Sequence, residues 1–303
     1  MAIQMVDVHF RYPDGQPGES GGLNGVTWTV RDGTFAAVLG ASGSGKSTLL
    51  QHLNGLLRPA RGEIRVGDFR IEAGKPFREA AALRRRVGLV FQFPEQQLFA
   101  ETLEQDLGFG PKNFGATDEE AREAARRALR LLGMDESLLT AGPEQLSDGQ
   151  RRKAAIATVL AMDPDMLVLD EPTVSLDQAS RDELMRLLHR LCKREGKTVV
   201  VVSHRLEEVI PYADECLLLE RGRVRFQGPA EALLARPRLL EEAGFPLPPA
   251  LRLSRLLAER FHLREPPASG RTGAEAFAER LCRLLELPAA LHGREDDGPC
   301  GTG

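Results

Sequence analysis

Residues 40–48 read GASGSGKST, a glycine, four free positions and then Gly-Lys-Ser, set between an apolar run (TFAAVL) and a helix-forming one (STLLQHLNGLL). That order suits phosphate binding. Gly40, Gly43 and Gly45 let the backbone curl, so that N–H groups from Ala41, Ser42 and Ser44 through Thr48 can point at one anion beside a helix N-terminus. Lys46 can reach the terminal phosphates as a point charge, and the Ser47 hydroxyl can enter the shell of a Mg²⁺ ion. The loop alone implies a nucleoside triphosphate and nothing more specific.

A second feature narrows the chemistry. MLVLDEPT ends an apolar strand in two consecutive carboxylates, Asp170 and Glu171. At the C-terminal end of a parallel strand both can face a phosphate crevice. Asp170 suits Mg²⁺, and Glu171 suits orienting or deprotonating an attacking water.

These residues need a scaffold. From Ala2 to about Val66, β-rich runs alternate with turn clusters, including a Gly-rich acidic loop, DGQPGESGG. TDEEAREAARRALRLLG predicts a helix whose Thr117 and Glu120 stand at capping-box spacing, with Gly133 as its stop. A second helical run covers 149–162, followed by the strand MLVLD, a helix over 178–195, the strand TVVVVS, a helix from Arg205, and a hairpin turned at Arg221-Gly222. The βαβ order predicts an α/β fold with a mainly parallel core sheet. The antiparallel β subdomain lies N-terminal to it, and a helical subdomain is inserted at about 93–163. Residues 1–230 form the first domain in this reading. Pro-punctuated helices over 231–287 make a small C-terminal extension, and 288–303 make a disordered tail.

Composition excludes other classes. The 303 residues carry 40 Lys+Arg against 44 Asp+Glu, a net charge of -4, so there is no overall positive field for nucleic acid. No apolar run is long enough to cross a bilayer, and the N-terminus lacks a secretory pattern. Cys192, Cys216, Cys282 and Cys300 show no C-x-x-C pair and are read as reduced thiols.

Further motifs in the same order carry a family resemblance. LSDGQ (146–150) resembles the LSGGQ signature of ABC transporter ATPases, VSLD ending at Asp177 resembles their D-loop, and VVVVSHR resembles their switch strand. The resemblance covers residues 1 to about 230. It implies ATP and Mg²⁺ as ligands and a head-to-tail dimer in which each chain completes the other's site. Ser147 and Gly149, with Gln150, would then donate to a γ-phosphate across the interface, with Asp177 linking the two sites. His204 would contact the γ-phosphate, and Gln92 would touch Mg²⁺ and the attacking water. Tyr12, in FRYPDG, would stack on adenine.

FQFPEQQLFAETLEQDLGFGPKNFG, residues 91–115, is similar to the corresponding region of energy-coupling factor ATPases, in the form of the second ATPase of such pairs. This implies an ATP-hydrolysing, translocase-type subunit at the cytoplasmic face of the membrane. It would work with a second ABC ATPase, as a heterodimer or a homodimer, with a transmembrane coupling subunit and with a substrate-binding membrane subunit, to import a vitamin or metal-type micronutrient. Phe93, Gln97, Leu98 and Phe99 would offer surface to the coupling subunit, and Glu95, Glu101 and Asp106 would meet its arginines. The alternatives are the ATPase of another ABC importer or exporter, and an ATP-gated clamp that scarcely hydrolyses.

The signature departs from the family at Asp148. A carboxylate there favours the helix N-terminus by about 0.3–1 kcal/mol. Facing a γ-phosphate about 6 Å away, at an effective dielectric of about 20, it would cost near 3 kcal/mol per unit charge. The expectation is a slower ATP site wherever this signature completes one.

Overall fold

Apolar residues at alternate positions make the first strands. In the computed structural model, which describes residues 1–12, 22–247, 249, 252, 253, 256 and 260, Ile3, Met5 and Val8 are buried along the first, and Val26, Trp28 and Val30 along the second. The chain runs through β1 (Ile3–Phe10), β2 (Leu23–Val30), β3 (Phe35–Leu39), α1 (Lys46–Leu53), β4 (Arg61–Val66), β5 (Phe69–Glu72), α2 (Ala80–Arg86), β6 (Val87–Val90), α3 (Leu103–Asn113) and α4 (Asp118–Leu131). It continues through α5 (Asp148–Leu160), β7 (Met166–Asp170), α6 (Gln178–Glu195), β8 (Thr198–Val202), α7 (Leu206–Val209), β9 (Glu215–Glu220), β10 (Arg223–Pro229), α8 (Ala230–Leu234) and α9 (Pro237–Glu242).

Two sheets result. The order β2-β1-β4-β5 is antiparallel, and the order β10-β9-β3-β8-β7-β6 is parallel except at the β9–β10 hairpin. The central strands of the second sheet are buried at every position because both faces are covered, and they are apolar except for Thr198 at the start of β8 and Asp170 at the end of β7. Ala36, Val38, Val168, Val200 and Val202 face α1 and the antiparallel sheet. Ala37, Leu39, Leu167, Leu169, Val199 and Val201 face the opposite layer, with α3 to α6. This period-two division fixes strand register, since a one-residue slip would exchange the two cores.

The capping box at Thr117 and Glu120 forms as the spacing predicts, and Ser147 with Gln150 makes a second one that starts α5. The helix expected from Arg205 is only the four residues of α7, and Pro211 stands just past its C-cap Ile210. In the C-terminal extension, α8 and α9 pack Leu233, Leu234 and Leu240 into the core. Cys192 and Cys216 are buried free thiols, and burial pushes Cys216 up to about 12. The Gly-rich loop over 13–21, most of the extension beyond 247, Cys282, Cys300 and the expected tail lie outside the described residues. Among the described residues no helix is long and apolar enough to cross a membrane.

Candidate nucleotide site

β3 ends at Leu39 and α1 begins at Lys46, so the loop between them is held at both ends by buried structure. The glycines are required by contact as well as by conformation. Gly40 has φ 153°, and a Cβ there would lie 2.4 Å from the Leu219 carbonyl oxygen. Gly45, at φ 101°, would press on the Gly22 carbonyl at 2.8 Å. Lys46 Nζ donates to the carbonyls of Gly40 and Ala41, each at 2.8 Å, and so closes the loop across its mouth. Burial pushes the Lys46 ammonium below its ordinary value, while Glu171 and Asp170 oppose that shift. The Ser44 hydroxyl is buried with no hydrogen-bond partner among the described residues. A buried orphan hydroxyl in a glycine-rich loop is what a phosphate oxygen would satisfy.

Asp170 closes β7 and is buried. Burial raises its carboxyl above the ordinary range, a hydrogen bond from Ser47 acts the other way, the Glu171 charge raises it further, and Lys46 lowers it. Ser47 and Asp170 are therefore a donor pair with a strained charge, suited to a cation. Glu171 has a left-handed backbone, φ 48°, which costs a non-glycine residue about 1–3 kcal/mol. Its N–H donates to the Val202 carbonyl at 3.1 Å, tying it to β8. The side chain is met from two sides. Gln92 Nε2 donates to Oε2 at 3.4 Å, and His204 Nδ1 lies 3.2 Å from Oε1. Residues far apart in sequence thus converge on one carboxylate next to the phosphate loop.

Tyr12 also reaches the loop. Its hydroxyl lies 3.2 Å from Thr48 Oγ1, and its ring meets Phe10 edge-on at 4.9 Å. Phe10 in turn stands edge-on to buried His52 at 4.9 Å. Ser147, Gly149, Gln150 and Asp177 are placed differently, at helix starts. Ser147 and Gln150 bond each other in the capping box, Gly149 follows Asp148 in the first turn of α5, and Asp177 caps α6 by accepting from the Ser180 N–H at 2.9 Å. Asp148 is ion-paired with Arg151 one turn along α5.

The acidic candidates of 91–115 divide. Glu101 is exposed, and Glu95 pairs with Arg152 at 3.3 Å. Asp106 does not face a partner. It is buried and accepts the N–H groups of Phe99 and Ala100, each at 3.2 Å, so it holds the turn before α3. Phe99 is 68% exposed and packs edge-on against Phe109, Phe93 and Gln97 are exposed, and Leu98 packs partly into the core.

Sequence reading missed Arg152. Its side chain is 1% exposed, and it donates to the carbonyls of Glu171 (2.8 Å) and Pro172 (3.1 Å). Helical spacing held the signal, because Arg152 shares a face with Ile156 and Val159 of the buried side of α5.

The ABC transporter family pattern matches residues 23–174. An energy-coupling factor transporter ATP-binding protein, EcfA2, of Bacillus cereus is 44% identical over 269 residues, covering 89% of this chain and 92% of that protein. The chain belongs to the energy-coupling factor ATPases of the ABC transporter family. Among solved ABC structures, cbiO1 from Clostridium perfringens, part of the transporter complex cbiONQ, superposes with a TM-score of 0.68 at 33% identity, covering 84% of this chain and 98% of that one. The ATP-binding cassette MJ0796, a dimer bound to ADP and Pi, gives a TM-score of 0.68 at 29% identity over 75% of this chain and 98% of that one. The fold is the ABC ATPase fold expected from the motifs, and the chain is an ATPase of transport.

Proposed function

We propose that the chain is the ATP-binding and hydrolysing subunit of an energy-coupling factor importer, peripheral at the cytoplasmic membrane face, driving uptake of a vitamin or metal-type micronutrient. The observation that carries this is the convergence of Gln92 and His204 on Glu171 beside the Lys46 loop. The loop from Gly40 to Thr48 holds the phosphates, and Lys46 leaves its two carbonyls to meet them. Tyr12 stacks on the base, and aromatic contact of this kind is worth about 0.5–1.5 kcal/mol. Ser47 and Asp170, with Gln92, fit Mg²⁺, which characteristically takes one or two carboxylates, substrate phosphates and water. When bound, Mg²⁺ neutralises charge on the phosphate oxygens.

Glu171 accepts the proton of the water whose oxygen attacks the γ-phosphorus as the bond to ADP breaks. Gln92 and His204 hold that carboxylate in place, and the second ring nitrogen of His204 meets phosphate. Ser147, Gly149, Gln150 and Asp177 stand at the starts of α5 and α6, which suits donation into a second subunit's site. A heterodimer with another ABC ATPase is the reading, with a homodimer as the alternative. The exposed Phe93, Gln97, Phe99 and Glu101 face the transmembrane coupling subunit, which carries the substrate-binding membrane subunit.

Purification from membranes followed by reconstitution tests this. We expect a second ATPase and a coupling subunit to copurify, and phosphate release by the complex to fall at least about 100-fold in Glu171→Gln while ATP still binds. Glu171→Gln turning over at the parental rate overturns the reading.

A further inference from the structure

We propose that Arg152 is a positioning residue for Glu171, and that it links the surface turn carrying Glu95 to the carboxylate that takes the proton of water. The proposal rests on the reading of Glu171 given above.

Three bonds define the link. Arg152 Nη2 donates to the Glu171 carbonyl at 2.8 Å, Nε to the Pro172 carbonyl at 3.1 Å, and Nη1 to Glu95 Oε2 at 3.3 Å. The guanidinium is buried, whereas the Glu95 side chain is 26% exposed. Glu171 needs such a hold. Its left-handed backbone is unfavourable and persists only where its surroundings fix it. β8 fixes the N–H side through the Val202 carbonyl, and Arg152 of α5 fixes the C=O side. The side chain is therefore aimed at Gln92 and His204 by a peptide clamped from two layers of the fold.

The same arginine needs Glu95. The two carbonyls accept two of its five N–H donors but leave a positive charge in a desolvated place, and burial pushes the guanidinium below its ordinary value. Glu95 and Glu171 are the carboxylates that act against that shift. Glu95 lies in the short turn Pro94–Gln97, two residues from exposed Phe93 and two from exposed Gln97. A contact that draws Glu95 outward withdraws charge from Arg152 and loosens the clamp on Glu171. One that presses the turn inward tightens it. Arg152 is also one helical turn beyond Asp148 and Gly149, so a shift of the α5 start reaches the same clamp.

The test uses the assembled complex carrying Arg152→Gln, Arg152→Lys or Glu95→Gln, with kcat and KM for ATP, affinity for a non-hydrolysable ATP analogue, and Tm. A positioning role predicts that Arg152→Gln lowers kcat by about tenfold or more with KM and analogue affinity within about twofold. Arg152→Lys should recover part of the loss, since an ammonium reaches one carbonyl and cannot fork to two. Glu95→Gln, which leaves both carbonyl bonds in place, should lower kcat severalfold. Parental kcat in Arg152→Lys and Glu95→Gln overturns the proposal, as does a loss of Tm and analogue affinity in step with kcat. If Arg152→Gln does not fold, the other two variants decide by the same split. Glu171→Gln in the same assay separates the two claims. If it is inactive while the Arg152 and Glu95 variants turn over normally, only the positioning proposal fails, and if it is active the reading of Glu171 fails first.

Discussion

Lys46 bridges its own loop to Gly40, its ammonium donating to the Gly40 carbonyl at 2.8 Å across the space where phosphate would lie. The bond closes the mouth of the loop at the cost of burying a cation, and Lys46 leaves it when an anion enters. Lys46→Met should therefore keep or raise the Tm of the chain alone while abolishing the rise in Tm that Mg-ATP gives the parent. At a ligand concentration of 100 Kd that rise corresponds to about 2.7 kcal/mol. The sign follows from the lowered folded-state value: the unfolded chain holds the Lys46 proton more tightly, so this residue's penalty fades as pH rises through the folded value toward the ordinary one. Thermal melts with and without nucleotide check both halves, and a large loss of Tm in Lys46→Met counts against them.

Asp170 gives the opposite case in acid. Burial and the neighbouring Glu171 charge raise its carboxyl, so its ionised form costs stability above the folded-state value, and the cost disappears as pH falls toward 3.8, the ordinary value. Asp170→Asn should melt higher than the parent at neutral pH without nucleotide. The difference should shrink on acidification as the parent's carboxyl takes up its proton. Hydrolysis should behave inversely, with the parent losing rate in that same acid window and the variant inactive throughout. A Tm difference that does not vary with pH would show that charge burial is not the cause.

The phosphate loop and the two carboxylates were legible because their chemistry lies in contiguous residues bounded by strong strand and helix patterns. Gly40 to Gly45 sits between β3 and α1, with Lys46 to Thr48 in the first turn of α1, and Asp170 closes β7. Asp106 was misread because an acid that follows Glu104 and Gln105 looks the same in sequence whether it meets solvent or a backbone turn. Only the path of residues 99–100 over α3 distinguishes the two. Arg152 was hidden for a related reason. In RRK, three consecutive cations look equally solvated, yet helical phase buries Arg152 and leaves its neighbours half-buried. β5 was not read at all, since its four residues are too short for alternation to register.

Gly40 and Gly74 make a controlled pair for the close approach at the loop. Both have positive φ, but a Cβ on Gly74 meets nothing within 4 Å, while on Gly40 it collides with the Leu219 carbonyl and with Ser44 Oγ at 2.5 Å. Gly74→Ala should cost about 1–2 kcal/mol from conformation alone. Gly40→Ala should cost more, about 2–4 kcal/mol, and weaken nucleotide binding because β9 and Ser44 must both move. Denaturant melts and nucleotide titration of the two variants test this, and equal losses would contradict the role of the contact.

If α5 completes a partner's ATP site as proposed, Asp148 sets how fast that site can run. Its carboxylate stands at the first position of α5, beside the Gly149 N–H that would face a γ-phosphate, and an isolated charge there would oppose the anion by near 3 kcal/mol at about 6 Å and an effective dielectric of about 20. The ion pair with Arg151 changes the balance, because a carboxylate with a guanidinium beside it acts as a dipole rather than a charge. Asp148→Gly should therefore raise ATP turnover of the assembled complex modestly, by about twofold to tenfold, at a cost of about 0.3–1 kcal/mol in α5 stability from the lost helix-terminus charge. Removing the counter-charge should do the reverse. Arg151→Ala leaves Asp148 unscreened and should slow turnover below the parent, and the double variant Asp148→Gly/Arg151→Ala should return above it. Turnover that is unchanged in all three variants would mean that the Asp148 side chain points away from the phosphate and that this signature is electrostatically equivalent to one with glycine.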